Sequence, residues 1–474
     1  MSELPNGWAK ACIGDLADLN PKQSFDDETV AGFVPMSHAP TNFRDKLRFD
    51  ERPWGEIRKA YTNFKDGDVI FAKVTPCFEN GKAAFVEGLP NGVGAGSSEF
   101  FVLRPSCDGV SAKYLLALVK SYDFLQEGVE NMTGAVGLRR VPKQFVENYL
   151  VPVPPAAEQT RIAAKLDELL AQVDTLKARI DGIPALLKRF RQSVLSAAVS
   201  GRLTEEWRSH STCSEPNNQP IPHHSETSDP LPTGWVTKTA SEICGFITKG
   251  TTPPKEKMTA GHGDVPYIKV YNLTFTGVLN FSIDPTFVDN NTHTIDLKRS
   301  IVRPGDVLMN IVGPPLGKVS IVPASYAEWN INQAIARFTA NDGVSPGYLA
   351  LCLRSDSVLS HAISRAKATA GQFNLTLEIC RELPIPLPPT LEQTEIVRRV
   401  EQLFAFAEQI EARVKAAQAR IDHLTQSVLA KAFRGELVPQ DPNDEPVGVL
   451  LDRIKAQRAT APKAKRGRQA ATLG

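Results

Sequence analysis

The fold is decided by a short stretch, VPVPPAAEQTRIAAKLDELLAQVD at residues 151–174, in which a proline run gives way to an apolar-periodic segment. The same change occurs again in IPLPPTLEQTEIVRRVEQLFAFAEQ at residues 385–409. Proline ends a strand ladder, and a glutamate in the first helical turn suits the positive end of the helix dipole. Each stretch therefore predicts the end of a globular domain and the start of a long helix.

The similarity of these two stretches is part of an internal repeat. DGVSAKYLLALV at 108–119 matches DGVSPGYLALCL at 342–353, an offset of 234 residues. The same offset carries Glu158–Gln159 onto Glu392–Gln393 and QSVL at 192–195 onto QSVL at 426–429, while LPNGW at 4–8 recurs as LPTGW at 231–235. A period this long excludes a solenoid and indicates two copies of one unit.

Both predicted helices carry apolar residues at alternating steps of four and three. They are Ile162, Leu166, Leu169, Val173, Leu176, Ile180, Ile183, Leu187, Phe190 and Val194, and then Ile396, Val400, Leu403, Ala407, Ile410, Val414, Ala417, Ile421, Leu424 and Val428. This spacing is typical of a coiled-coil seam. The simplest partner for each seam is the other copy, which gives an antiparallel pair and a pseudo-twofold repeat; pairing with another chain is the alternative. Pro184 predicts a kink or a break near Gly182.

A strand-rich globular domain is predicted before each helix. Short Val, Ile and Phe runs are bounded by turn residues, and a helix follows late in each domain, so the fold class is α+β. The predicted segments are a first domain at 1–153, a helix at 154–207, a linker at 208–230, a second domain at 231–387, a second helix at 388–440 and a basic, disordered tail at 441–474.

Composition and charge narrow the class of protein. The chain has a formal net charge of +1, and its seven cysteines form no CxxC pair. No apolar run reaches the ~20 residues that cross a bilayer, and the N-terminus lacks the layout of a signal peptide. These features predict a cytoplasmic protein without a structural zinc site. Residues 1–150 hold 17 basic against 20 acidic side chains, so any nucleic-acid-binding face must concentrate its basic residues.

Motifs for catalysis are missing from the sequence. It contains no GxxxxGK[ST] phosphate loop, no GxSxG elbow, no HExxH helix and no Asn-Pro-Pro-Tyr type motif for amino-methyl transfer. GVGAGSS at 92–98 lacks the spacing of a dinucleotide-binding loop. We therefore expect this chain not to be a catalyst and to carry no cofactor or metal of its own.

These features together resemble the specificity subunit of type I restriction–modification systems. The resemblance rests on two variable domains that alternate with two long helices, each introduced by P-P-x-x-E-Q, at 154–159 and 388–393. The helix ends at 186–208 and 419–441 are also similar to that family. Within the domains, GDVIFAKVTPCFENGKAAFV at 67–86 and PYIKVYNL at 266–273 look like two different types of recognition domain.

The resemblance implies a non-catalytic DNA-recognition subunit. Each target-recognition domain would read one half of a bipartite, asymmetric site in double-stranded DNA, and the coiled coil would set the gap. Two methyltransferase subunits would dock on the chain and restriction subunits would join them, so S-adenosylmethionine, ATP and Mg²⁺ would be bound by these partners. A coiled-coil interaction scaffold is the alternative, favoured by the near-neutral charge; a stand-alone nuclease or methyltransferase is disfavoured by the missing motifs.

Polar loop residues are the candidate DNA contacts, because Arg and Lys favour guanine or phosphate, and Asn and Gln favour adenine. In the first domain they are Lys73, Thr75, Asn80, Lys82, Ser97, Ser98, Arg139, Arg140 and Lys143. In the second they are Lys249, Thr251, Lys269, Tyr271, Asn272, Lys318, Asn332, Gln333, Gln372 and Asn374. For each residue, a solvated loop position or a turn-forming role is the alternative.

Overall fold

The computed structural model describes residues 4–135, 137–211, 231–313, 315–369 and 372–460. They form two compact units, the first within Met1–Asp181 and Lys415–Gly474 and the second within Gly182–Val414. Each unit contains one strand-rich domain and parts of both long helices. The α+β repeat predicted from the sequence is therefore confirmed.

The first domain consists of two four-stranded sheets and short helices. Its strands are β1 Ala9–Cys12, β2 Ala17–Leu19, β3 Val30–Val34, β4 Asp50–Pro53, β5 Thr62–Lys65, β6 Val69–Ala72, β7 Ala83–Phe85, β8 Val93–Gly96, β9 Phe100–Pro105, β10 Thr133–Ala135, β11 Leu138–Arg140 and β12 Leu150–Val153. Its helices are α1 Ile13–Leu16, α2 Trp54–Ile57, α3 Ala112–Val119, α4 Tyr122–Glu130 and α5 Lys143–Asn148. One sheet has the order β2-β9-β6-β7 and the other β4-β3-β8-β5, while β1 pairs with β12 and β10 with β11.

The helix α6, Ala156–Val199, follows the first domain, and α7, Glu205–Ser211, lies shortly after it. α6 runs through Pro184 without the predicted break. Pro184 is exposed, so water can solvate the Ile180 carbonyl that loses its helical partner. The predicted linker falls largely on residues 212–230, which lie outside the described ranges.

The second domain repeats the topology of the first. Its strands are β13 Val236–Thr239, β14 Cys244–Lys249, β15 Thr259–Ala260, β16 Val265–Ile268, β17 Thr286–Val288, β18 Ile301–Val302, β19 Val307–Asn310, β20 Val319–Ile321, β21 Trp329–Ile331, β22 Ile335–Ala340, β23 Lys367–Thr369, β24 Gln372–Asn374 and β25 Pro384–Leu387. Its helices are α8 Ala240–Ile243, α9 Pro346–Arg354, α10 Asp356–Arg365 and α11 Leu377–Arg381. The sheet β14-β22-β19-β20 corresponds to β2-β9-β6-β7, and the parallel pair β16–β21 in the other sheet corresponds to β3–β8.

The second long helix, α12, spans Thr390–Phe433 and pairs antiparallel with α6 inside each unit. In the first unit, Lys177 Nζ lies 3.7 Å from Asp422 Oδ1, and Asp181 accepts a hydrogen bond from Gln418 at 2.8 Å. In the second unit, the Arg191 guanidinium binds both oxygens of Glu411. Of the predicted seam positions, Ile162, Leu166, Ile396 and Val400 are fully buried, whereas Leu176 and Leu424 are 46% and 43% exposed.

The repeated motifs noted in the sequence meet where each long helix begins. Trp8 donates its indole N–H to Glu158 at 3.0 Å, and Trp235 donates to Glu392 at 2.9 Å. The neighbouring glutamines connect each long helix to the domain before it. Gln159 Oε1 accepts the backbone N–H of Ser111, at the start of α3, at 2.8 Å, and Gln393 Oε1 accepts that of Ser345, at the start of α9, also at 2.8 Å. LPxGW and P-P-x-x-E-Q therefore form one joint, built twice.

Each joint also receives the end of the other long helix. Gly201 follows α6 and Gly435 follows α12, both in the left-handed region with φ of 78° and 70°. A Cβ at Gly201 would lie 2.4 Å from Pro232 of the LPTGW motif, and one at Gly435 would lie 2.5 Å from Pro5 of LPNGW. Glycine is required at both positions by the backbone conformation and by the close approach of proline.

The C-terminal segment is partly ordered, contrary to the prediction of a disordered tail from 441 onward. A last helix, α13, spans Val447–Thr460 and buries Val447, Leu450 and Ile454 against the core of the first unit. Ahead of it, Asp444 binds Arg161 of α6 through two hydrogen bonds. The three apolar side chains are spaced by three and four residues and so form one face of a helix. The basic composition of the segment gives no indication of this face. Residues 461–474 lie outside the described ranges.

Candidate nucleic-acid interface

In the first domain, several predicted residues meet where β6 ends. Lys73 Nζ donates to the backbone carbonyl of Ser98, in the turn after β8, at 2.8 Å. The Thr75 backbone N–H donates to the Arg139 carbonyl, and the Thr75 hydroxyl accepts the Arg139 backbone N–H. A β-bridge joins Val74 to Arg140 of the hairpin β10–β11. We call the set Lys73, Thr75, Ser97, Ser98, Arg139 and Arg140 the first strand-end cluster. It brings residues from three separate parts of the sequence onto one edge.

The cations of the first strand-end cluster are balanced by nearby acids. The Arg140 guanidinium donates two hydrogen bonds to Glu99, at 2.9 and 2.7 Å, and these bonds lower the pKa of that carboxyl. Arg139 lies 3.4 Å from Glu79. Both arginines are partly exposed, so a phosphate or a guanine edge could replace either carboxylate as the acceptor.

The other predicted residues of the first domain lie beside this cluster or elsewhere. Asn80 is exposed in the turn after Pro76, and the Lys82 ammonium donates to the Met36 carbonyl at 2.9 Å. Lys143 is exposed on α5, where it pairs with Glu147 at 2.9 Å.

In the second domain, a corresponding cluster forms where β19 ends. Thr251 donates its backbone N–H to Ile331, and Gln333 donates its own to the hydroxyl of Thr252. A β-bridge joins Val312, two residues past β19, to Asn374 of the hairpin β23–β24. We call the set Lys249, Thr251, Asn332, Gln333 and Asn374 the second strand-end cluster. Gln372 lies in β24, but its side chain is outside the described part of the chain.

The remaining predicted residues of the second domain have different environments. Lys269 and Tyr271 share one carboxylate, because the Tyr271 hydroxyl donates to Asp284 at 2.6 Å and Lys269 Nζ lies 3.7 Å from it. Lys318 Nζ lies 5.9 Å from the ring centroid of the exposed Phe275. Asn272 is only 1% exposed, and its amide bonds to Lys269, Asn280 and Ile283, so it stabilises its own loop.

A basic loop in the first domain escaped the sequence reasoning. Arg44, Lys46 and Arg48 are all exposed in the segment between β3 and β4. Their alternation in RDKLR was a usable signal, because a segment with period two can present three cations on one side. Among the described residues, no group of His, Cys, Asp and Glu is placed to hold a metal ion. The same ranges contain no helix that is long and apolar enough to cross a bilayer.

Comparison with known proteins identifies the class. A family model for the type I restriction modification DNA specificity domain matches residues 5–185 and 232–417, once for each copy of the repeat. The chain is 32% identical to the EcoKI specificity subunit of Escherichia coli K12, over 98% of this chain and 99% of that protein. It is 29% identical to the EcoEI specificity subunit of Escherichia coli, over 91% and 83% of the two chains.

A solved structure shares the fold. It comes from work on complex assembly and conformational transition of a type I restriction–modification system, and it aligns with a TM-score of 0.66 at 21% identity, over 92% of this chain and 100% of that one. Two strand-rich domains, each joined to a long helix through the same Trp–Glu contact, define a two-domain DNA-recognition protein. The chain belongs to the type I restriction–modification DNA specificity family. It is a specificity subunit, the non-catalytic DNA-recognition part of the complex, and the interaction-scaffold alternative is not favoured.

Proposed function

We propose that the two domains read the two halves of a bipartite, asymmetric site in double-stranded DNA. The observation that supports this proposal is the pair of strand-end clusters. Both occupy the same place in the repeated topology, beside the hairpin that precedes the helix joint, yet their side chains differ. The first offers Lys, Arg, Ser and Thr, whereas the second offers Lys, Thr, Asn and Gln. Arginine matches the acceptors of guanine, and Asn and Gln match adenine, so two different half-sites are expected.

The proposed DNA contacts are the two strand-end clusters together with Asn80, Lys82, Lys269, Tyr271 and Lys318 at their borders. Asn272 is not retained, because its amide is buried and bonded within its own loop. Arg44, Lys46 and Arg48 are added as phosphate contacts. Lys143 and Gln372 stay predictions.

We further propose that the paired helices set the gap between the half-sites and, with the domains, dock two methyltransferase subunits, which restriction subunits then join. S-adenosylmethionine, ATP and Mg²⁺ would be bound by these partners, consistent with the missing catalytic motifs. The cytoplasm is the proposed location, because the complex must reach chromosomal and incoming DNA there.

The test is methylome sequencing of cells that express this chain with its methyltransferase partner. The wild-type chain should direct methylation to one two-part site, and deletion of the chain should abolish it. Arg139→Ala should relax one half of that site by roughly tenfold to a hundredfold in discrimination, as for loss of one bidentate base contact. Lys59→Ala, which removes an exposed cation that is not among the proposed contacts, is the matched control and should leave both halves unchanged. Methylation without sequence preference would reject the proposal.

A further inference from the structure

Two buried cations occupy equivalent places in the two copies. Lys120 directly follows α3, and Arg354 is the last residue of α9, 234 positions further on. These two residues are only 4% and 7% exposed. Burial lowers the pKa of Lys120 to about 7, and burial together with the neighbouring Arg191 lowers that of Arg354 to about 10. Holding a cation in such a place is unfavourable unless its hydrogen bonds are made.

Lys120 binds backbone carbonyls of two loops. Its ammonium donates to Thr41 and to Gly81, both at 2.9 Å, and more weakly to Pro40 at 3.4 Å. Thr41 opens the loop that carries the exposed cations of the segment 44–48, and Gly81 closes the turn that carries Asn80. One side chain therefore fixes two of the segments proposed to contact DNA.

On its other side, Lys120 is attached to a long helix. Gln426 of α12 donates its amide to the Lys120 carbonyl at 3.4 Å. Lys120 is thus a direct connection between the helix pair and the loops of the first domain.

Arg354 joins a loop of the second domain to a different part of α12. Its guanidinium lies 5.2 Å from the ring centroid of Phe404 in α12 and donates to the Phe275 carbonyl at 3.0 Å. Phe275 lies in the loop beside Lys318. Gly277 in the same loop has a φ of 99°, and a Cβ there would lie 2.7 Å from the guanidinium. Glycine at position 277 therefore allows the loop backbone to lie close to the Arg354 guanidinium.

The two connections differ in how they are packed. The residue equivalent to Phe404 is Leu170, and the first unit contains a cavity of about 280 Å³ whose lining includes Lys120, Leu170 and Gln426. Arg354 lies against an aromatic ring and donates one hydrogen bond, to the Phe275 carbonyl, whereas Lys120 relies on hydrogen bonds to three carbonyls. The cavity has room for a larger cation in place of Lys120.

We propose that Lys120 and Arg354 are positioning residues for DNA recognition, each locking the reading loops of its own domain onto α12. This inference rests on the proposed function, because the loops that these two residues hold carry proposed DNA contacts. Without the Lys120 ammonium, the Thr41 and Gly81 carbonyls lose their donor and both loops relax toward water. The half-site read by that domain then loses definition while the other half is still read.

The test compares Lys120→Met, Lys120→Arg and Arg354→Met in the full chain, co-expressed with its methyltransferase partner. Lys120→Met removes the charge and the donors at similar length, and should reduce discrimination at one half-site by about tenfold or more while leaving the other intact. Arg354→Met should do the same at the opposite half-site. Lys120→Arg keeps a donor in the cavity and should restore most of the discrimination.

The pattern of lost discrimination at the two half-sites distinguishes a positioning role from a purely structural one. Thermal unfolding of each variant is measured in parallel; if Lys120→Met does not fold, Lys120→Gln, which keeps two amide donors, is compared in its place and should give a partial loss at the same half-site. Unchanged reading of both half-sites by a folded Lys120 variant, or equal loss at both, would overturn the inference. A wild-type complex without a two-part site would reject the proposed function, and this inference with it, before any variant is compared.

Discussion

The two helix joints have the same plan but are completed differently. In the second joint, both carboxylate oxygens of Glu392 are used, one by the Trp235 indole and the other by Thr204 and Arg208. In the first joint, Glu158 accepts only from Trp8 among the described residues, and its second oxygen is buried without a hydrogen-bond donor. The position equivalent to Thr204 is Val438, which offers no hydroxyl.

Apolar packing covers the first joint, whereas the second joint contains the ion pair of Arg208 with Glu392. α13 covers the first joint, with Val447 donating its backbone N–H to the Gly7 carbonyl and Leu450 buried in the core. Burial raises the pKa of Glu158, a shift to which nearby Asp444 contributes and which Trp8 and Arg161 oppose. A repeated motif thus fixes the shared Trp–Glu contact, while the surroundings decide how much each glutamate contributes to stability.

The largest effect is expected from Glu392→Gln. The amide can accept from one side only, so either Trp235 or the pair Thr204 and Arg208 faces an NH2 group instead of an oxygen. Breaking a buried ion pair by changing one partner is strongly destabilising, and we expect a loss of about 3 kcal/mol in the free energy of unfolding. Denaturant unfolding of the full chain measures it, and hydrogen exchange should locate the loss in the second unit. A loss no larger than that of Glu158→Gln would contradict the comparison.

A smaller effect is expected when the apolar cover of the first joint is weakened. Leu450→Ala should leave a cavity between α13 and the core and cost about 2 kcal/mol. Val449→Ala in the same helix is the matched control, because Val449 is 47% exposed and should cost under about 0.5 kcal/mol. Hydrogen exchange of β1 and α1 is the local readout. Equal behaviour of the two variants would mean that α13 does not support the joint.

Features that repeat along the chain are predictable from the sequence, and features that occur in one copy only are not. The long helices were predictable because their signal is local and repeated, and the offset of 234 residues paired Glu158 with Glu392 before any contact was known. The contact of Trp8 with Glu158 spans 150 residues, and periodicity carries no information about such a partner. α13 was missed because the sequence prediction for this segment rested on its overall basic composition and not on the spacing of Val447, Leu450 and Ile454.

The candidate site was predictable as a set of loops but not residue by residue. Asn272 and Asn332 look alike in the sequence, yet one amide is buried within its own loop and the other is partly exposed in the second strand-end cluster. Which of two asparagines faces solvent depends on tertiary hydrogen bonds that a single sequence does not encode locally. The arginines of the hairpin β10–β11 and the turn near Ser98 likewise become neighbours only through the sheet.

The smallest effect is expected from Glu158→Gln. This variant tests whether the folded protein stabilises the protonated form of Glu158 and not its anion. The folded state raises the pKa of Glu158, so it binds the proton more tightly than the unfolded state, and the stability gained from the protonated carboxyl is lost as the pH rises through the folded pKa. The amide introduced by the substitution is neutral at every pH. The variant should therefore be less stable than wild type by about 1 kcal/mol at acidic pH, where the wild-type carboxyl is protonated, and this deficit should shrink as the pH rises through the folded pKa. Denaturant midpoints at several pH values measure the trend, and a deficit that grows with pH would show that Glu158 is stabilised as the anion, as a fully partnered glutamate would be.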